Sequence, residues 1–173
     1  MAILPIRIAG DPVLRTKAKK VRQVDDAVRK LLDEMVETMR AAPGVGLAAP
    51  QIGVSLRVVV IETPEDGLLH LINPEKIKTT GERRLTEGCL SVPGYQAQVP
   101  RSRTVTVKAL DRDGKELRIK AVDSLLAQAL EHEIDHINGI LYIDYLTSAD
   151  ELIPVRPSVD DGEEPVEAEA GIA

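Results

Sequence analysis

The chain has 173 residues, enough for one domain with a proper core, and 43% of them are apolar, yet it contains no Phe, no Trp and only three Tyr. A net charge of −6 and the near-absence of aromatic stacking surfaces argue against a nucleic-acid partner. No apolar run approaches the ~20 residues of a membrane span, MAILPIRIAGDP lacks the layout of a signal or transit peptide, and the single cysteine, Cys89, precludes an internal disulfide, so no membrane association and a reducing, cytoplasmic setting are expected.

In chain order, the first element is a helix over 25–42. Val28, Leu31, Leu32, Met35, Val36 and Met39 recur at helical spacing with charge on the other face, and Pro43-Gly44 ends it. GVGLAAPQIG (44–53) is too glycine-rich for a regular element. LRVVVIE (56–62) and LLHLIN (68–73) read as strands separated by the turn-like TPEDG. Several extended pieces surround GCLSVPG within 76–101. TVTVKALD (104–111) alternates as a half-buried strand should, and DRDGKE supplies a hairpin turn before LRIKAV. A second helix begins near Asp123, a suitable N-cap, and stops at Gly139. Residues 1–150 are expected to form a single catalytic domain, and 151–173 a tail whose acidic, proline-broken part from 156 onward is expected to be disordered. The order of elements predicts an α+β domain with antiparallel or mixed sheets packed around one central helix.

That helix carries ALEHEIDHING (129–139), with two of the three histidines four residues apart. On a wheel at about 100° per residue, Leu125, Ala129, His132 and His136 fall within roughly 60° of one another. Leu126, Leu130, Glu133, Ile134 and Ile137 fill the adjacent apolar arc. Ser124, Ala127, Gln128, Glu131, Asp135 and Asn138 gather on the remaining side, expected to face water. A carboxylate at Glu133, in an apolar arc, is destabilised in its charged form, which suits a general acid/base. H-E-x-x-H supplies two imidazoles on one face and a base beside them, and about one shuffled sequence of this composition in 200 would carry it.

Two ligands call for a third. His70 lies in the apolar LLHLIN and reads as a structural core histidine. Cys89 ordinarily reads as a small buried hydrophobe, but two inward histidines without a third ligand reverse that preference, because Cys with two His is a known catalytic set that leaves a coordination position open.

GVGLAAPQ (44–51), EGCLS (87–91) and HEIDH (132–136) resemble the three signature motifs of the peptide deformylase family, in the family's order and at similar separations. GDPVLRTKAKKV resembles the family's opening, and the likeness runs over about residues 5–147. The resemblance implies a deformylase-like fold around a metal-binding helix, and hydrolysis of the formyl group from the N-terminal formyl-methionine of new polypeptides, with release of formate. It implies Cys89, His132 and His136 as ligands of one divalent metal, with Fe²⁺ expected in the cell and Zn²⁺, Ni²⁺ or Co²⁺ able to substitute. Glu133 would be the acid/base, and the Gln51 amide and Leu90 backbone N–H the oxyanion donors. Gly46 would offer a backbone contact to substrate, and Val45, Leu125 and Ala129 would line the methionine pocket. Glu87 is expected to pair with Arg101, and Ser91 to bond locally within its turn. The implied partners are N-formylmethionyl nascent peptides and, transiently, the ribosome.

Overall fold

The computed structural model describes residues 2–155. Helix α1 spans Asp26–Ala41, capped by Asp25, whose side chain accepts from the Val28 N–H. Its stripe of Val28, Leu32, Met35, Val36 and Met39 is buried, as the spacing predicts. The glycine-rich stretch that follows is more regular than expected. Gly46–Ala48 form strand β1, and Ala49–Ile52 a 3₁₀ turn. β1 survives its glycine because it pairs with strand β2, Val58–Thr63, with Leu47 opposite Val60.

Strand β3 (Gly67–Thr80) extends well past LLHLIN, and β6 (Thr104–Leu110) and β7 (Glu116–Val122) complete a five-stranded antiparallel sheet in the order β1-β2-β3-β6-β7. Between β3 and β6 in sequence lie β4 (Arg83–Cys89) and β5 (Val92–Arg101), which form a second antiparallel sheet with the short β8, Ile153–Pro154. The start of the expected tail is therefore ordered, since Ile153 and Pro154 pair with Gln96 and Tyr95. Residues 156–173 lie outside the described residues.

The continuous apolar run of β2 is explained by burial on both faces. Val58 and Val60 join the core built on α1, and Val59 and Ile61 join the core built on the second helix. That helix, α2, spans Leu125–Ile137. Its N-cap is Ser124, whose Oγ accepts from the Ala127 N–H at 3.1 Å. Asp123, the expected cap, instead takes a positive φ of 44° and pairs with Arg103. Leu126, Leu130, Ile134 and Ile137 face the five-stranded sheet, and the three-stranded sheet covers the opposite side. The domain is thus α+β, with two antiparallel sheets enclosing one helix. Among the described residues, no helix is long and apolar enough to cross a membrane.

Gly139 ends α2 with φ 76°, and a Cβ there would meet the Arg15 carbonyl oxygen at 2.7 Å. The chain before α1 is pinned at this same corner by the Ala18 N–H, which donates to Ile137 O. Gly139→Ala adds a left-handed penalty to a clash with backbone that cannot rotate away. It should destabilise the fold by about 2 kcal/mol or more. Urea denaturation checks this, and an unchanged midpoint contradicts it.

Candidate metal centre

Strand β4 ends at Cys89, and a two-residue turn, Leu90–Ser91, leads into β5. The turn delivers the cysteine to the face of α2 that carries His132 and His136, one helical turn apart. The ligand atoms of Cys89, His132 and His136 all lie within 4.8 Å of one another. Cys89 Sγ is 3.3 Å from His136 Nε2, which is 3.2 Å from His132 Nε2. These separations fit a shared cation, since ligand bonds of about 2.0–2.3 Å in a tetrahedron place neighbouring donors roughly 3.3–3.6 Å apart. Among the described residues, this is the group of His, Cys and carboxylate side chains able to hold a metal. The donor chemistry fits a borderline divalent ion of the first transition row or zinc.

Orientation of the His132 imidazole is set behind it, whereas His136 Nδ1 has no partner among the described residues. His132 Nδ1 lies 2.9 Å from Glu87 Oε2, so its N–H donates to the carboxylate and the Nε2 lone pair points at Cys89 and His136. Glu87 is fully buried, and burial by itself would raise its pKa. The hydrogen bond from His132 and the hydrogen bonds and charge of Arg101 outweigh that and hold it below the usual carboxylate range. Burial also pushes His136 well below the usual imidazole range.

Glu133 sits beside this cluster with 0% exposure and neither carboxylate oxygen hydrogen-bonded among the described residues. Burial is the chief reason its pKa stands well above the ordinary carboxylate range. The neighbour across the groove is β1. A Cβ on Gly46 would come within 2.7 Å of Glu133 Oε1, so only glycine lets the strand lie this close to the carboxylate.

Gln51, which read alone as a turn residue at the surface, is entirely buried. Its Oε1 accepts from the Ala48 N–H at 3.0 Å, which turns Nε2 toward Cys89 Sγ at 3.8 Å and Ser91 Oγ at 3.2 Å. Ser91 therefore takes its side-chain partner from across the groove rather than from its own turn. Leu90 occupies the turn next to the cysteine, partly buried against the α1 core. Val45 and Ala129 are buried in the core around α2, and Leu125 packs against it while remaining partly exposed. The predicted site residues are thus brought together, whereas His70 is not with them. It pairs with Val60 on the α1 side of the sheet and lines a cavity of about 370 Å³ with Asp33, Arg40, Leu68 and Arg112. It is half-buried there and is not a core histidine.

The polar arc of α2 does not face water. Glu131 and Asp135 are only 6% and 4% exposed, because the three-stranded sheet and the strand ends beside it cover them. Arg101, at the end of β5, forks onto Glu87 through Nε at 3.0 Å and Nη2 at 2.5 Å, as the expected pairing requires, and also donates to Asp135 from Nη1 at 2.7 Å. Tyr145 Oη donates to the same Asp135 oxygen at 2.7 Å. Glu131 accepts from the Ser102 N–H at 2.6 Å and pairs with Lys76 at 3.4 Å. The one sequence signal of this burial is that the supposed water face of α2 has no Lys or Arg, whereas α1 mixes both signs.

Residues 3–151 match the family model for polypeptide deformylase. A peptide deformylase of Dehalococcoides mccartyi is 53% identical over 165 residues, which cover 95% of this chain and 98% of the relative. The solved structure of a peptide deformylase from Legionella pneumophila is 48% identical, with a TM-score of 0.81 over 84% of this chain and 87% of that one. A peptide deformylase from Synechococcus elongatus, solved in complex with actinonin, is 40% identical, with a TM-score of 0.82 over 86% of this chain and 81% of that one.

Arg101 is the buried cation shared by two buried carboxylates. Arg101→Met removes it while keeping bulk, and leaves Glu87 and Asp135 as uncompensated charges. Equilibrium denaturation should register a loss of about 3–5 kcal/mol. A loss below about 1 kcal/mol would show that the pair is not holding the sheet to the helix.

Proposed function

Since this chain belongs to the peptide deformylase family, we propose that it works by metal-assisted hydrolysis at Cys89, His132 and His136, removing the formyl group from N-terminal formyl-methionine of newly made polypeptides and releasing formate. The observation that carries the residue assignment is the buried, unpartnered Glu133 carboxylate beside three converging ligand atoms. A purely structural ligand set has no need of such a group.

Cys89, His132 and His136 would hold a divalent ion, which would supply Lewis acidity to water and to the formyl oxygen. Glu133 removes the proton from the attacking water and passes it to the leaving amine, a transfer helped by burial that holds its pKa up. A Cys89 thiolate would neutralise part of such an ion's charge, which would leave more of the proton removal to Glu133 than three neutral imidazoles would.

Negative charge that develops on the formyl oxygen is met by the Gln51 amide, aimed at the cysteine by its bond from Ala48. The Leu90 backbone N–H is the second donor. Gly46 keeps the β1 backbone close to Glu133, so a peptide can lie along it as an added strand. Val45, Leu125 and Ala129 form the apolar wall for the methionine side chain. A close wall at the formyl carbon rejects acetyl sterically.

Fe²⁺ is the proposed ion in the cell, and Zn²⁺, Ni²⁺ and Co²⁺ suit the same mixed thiolate–imidazole set. With that substrate the protein would work in the cytoplasm and meet nascent peptides at the ribosome transiently.

Formate release from formyl-Met-Ala-Ser, with acetylated and unblocked peptides as controls, tests the reading. Cleavage of unblocked peptide bonds would replace it with a peptidase. Glu133→Gln should still bind one metal ion per chain but lose activity by about 10²–10⁴-fold. Gln51→Ala should cut kcat by about two to three orders of magnitude. If either variant turns over at the wild-type rate, its assigned role is wrong.

A further inference from the structure

We propose that Tyr145 is a positioning residue for the metal ligand His132, acting through Asp135, Arg101 and Glu87. The proposal rests on the reading that Cys89, His132 and His136 hold a cation.

The connection is continuous and mostly buried. Tyr145 closes the 3₁₀ turn Tyr142–Tyr145 that follows α2. Its hydroxyl donates to Asp135 Oδ2 at 2.7 Å, the same oxygen that accepts from Arg101 Nη1 at 2.7 Å. Its ring also lies over Arg101, with Cζ 5.1 Å from the centroid. Arg101 in turn donates from Nη2 at 2.5 Å to Glu87 Oε2, which is the oxygen that accepts from His132 Nδ1 at 2.9 Å. Each link shares an atom or a rigid planar group with the next. Displacement at the outer end is therefore transmitted to the tilt of the imidazole.

Tyr145 is 39% exposed, whereas Arg101, Glu87 and Asp135 are 3%, 1% and 4% exposed. It is thus the outermost member, and its ring shields the guanidinium from water, where the ion pairs would weaken. Burial, and next the charge of Asp135, raise the phenol's pKa, so it stays a donor. Without the hydroxyl, Asp135 Oδ2 is held by Arg101 alone. One of the two anchors of Arg101 is then less firmly fixed, and Glu87 holds His132 less firmly. Outer partners of this kind typically affect metal affinity by one to two orders of magnitude when they bond the ligand directly. Three links further out, a smaller effect is expected.

The test uses the full chain loaded with Co²⁺, compared as wild type, Tyr145→Phe, Tyr145→Leu and Val36→Ala, an α1 core variant outside the network. Cobalt loss to excess chelator is followed through the cobalt absorption bands. Tyr145→Phe should lose cobalt about 3–10-fold faster than wild type and Tyr145→Leu faster still. The bands should shift in both, kcat should fall, and KM for a formyl-methionyl peptide should stay within about twofold. Val36→Ala should lower thermal stability without altering cobalt loss or the bands. Wild-type bands and loss rates in both Tyr145 variants overturn the proposal, as do rates no faster than those of Val36→Ala. If wild type itself takes up no cobalt, the metal reading fails first and this inference with it.

Discussion

The enclosure of α2 between two sheets is the constraint on which the remaining features depend. A helix with a polar arc can be buried on that side only if each polar group there finds a partner. The three-stranded sheet and its flank supply most of them: Arg101, itself paired with Glu87 of β4, for Asp135, the Ser102 N–H for Glu131, and the Thr86 carbonyl for the Gln128 amide, while Lys76 of β3 in the other sheet also pairs with Glu131. These bonds fix the distance between β4 and α2. Cys89 lies at the end of β4, so the bonds that satisfy the helix also bring the thiol to the two histidines. Folding and site assembly are one event here, because the ion pairs of Arg101 span the same gap that the three ligand atoms close.

Against that background of satisfied groups, Glu133 stands apart. Both of its oxygens are buried without a hydrogen bond among the described residues, and on α2 it shares that condition with His136 Nδ1 alone. Leaving such a group unmade costs about 1–3 kcal/mol or more, a cost that packing alone does not require. Gly46 adds to this picture, since a Cβ there would meet Glu133 Oε1 at 2.7 Å and displace the carboxylate. The Glu133 carboxylate, the three converging donor atoms and the Gln51 amide thus lie together between β1 and Cys89.

Much of this was legible in the sequence, for identifiable reasons. The stripe of α1, the alternation of β6 and the histidine spacing on α2 are periodic, and periodicity survives without tertiary knowledge. The pairing of Glu87 with Arg101 was legible from the motif around Cys89. What failed depended on long-range contact. The wheel separates apolar from polar faces, but it does not show that a second sheet covers the polar one, so Glu131 and Asp135 read as solvated and no periodic signal points to Tyr145. The strand character of Gly46–Ala48 comes from pairing with β2 rather than from its residues. His70 looked like core because its sequence neighbours are apolar, yet β3 turns it toward a cavity on the α1 side.

The claim at the centre is that Cys89, His132 and His136 share one ion with Glu133 poised beside it. Anomalous diffraction at the absorption edge of the bound metal, on crystals of the loaded chain, tests it most directly. The account predicts one strong peak, about 2.3 Å from Cys89 Sγ and about 2.0–2.1 Å from Nε2 of both histidines, with no direct bond to Glu133. A peak elsewhere, or one ligated by Glu133 in place of Cys89, would contradict it.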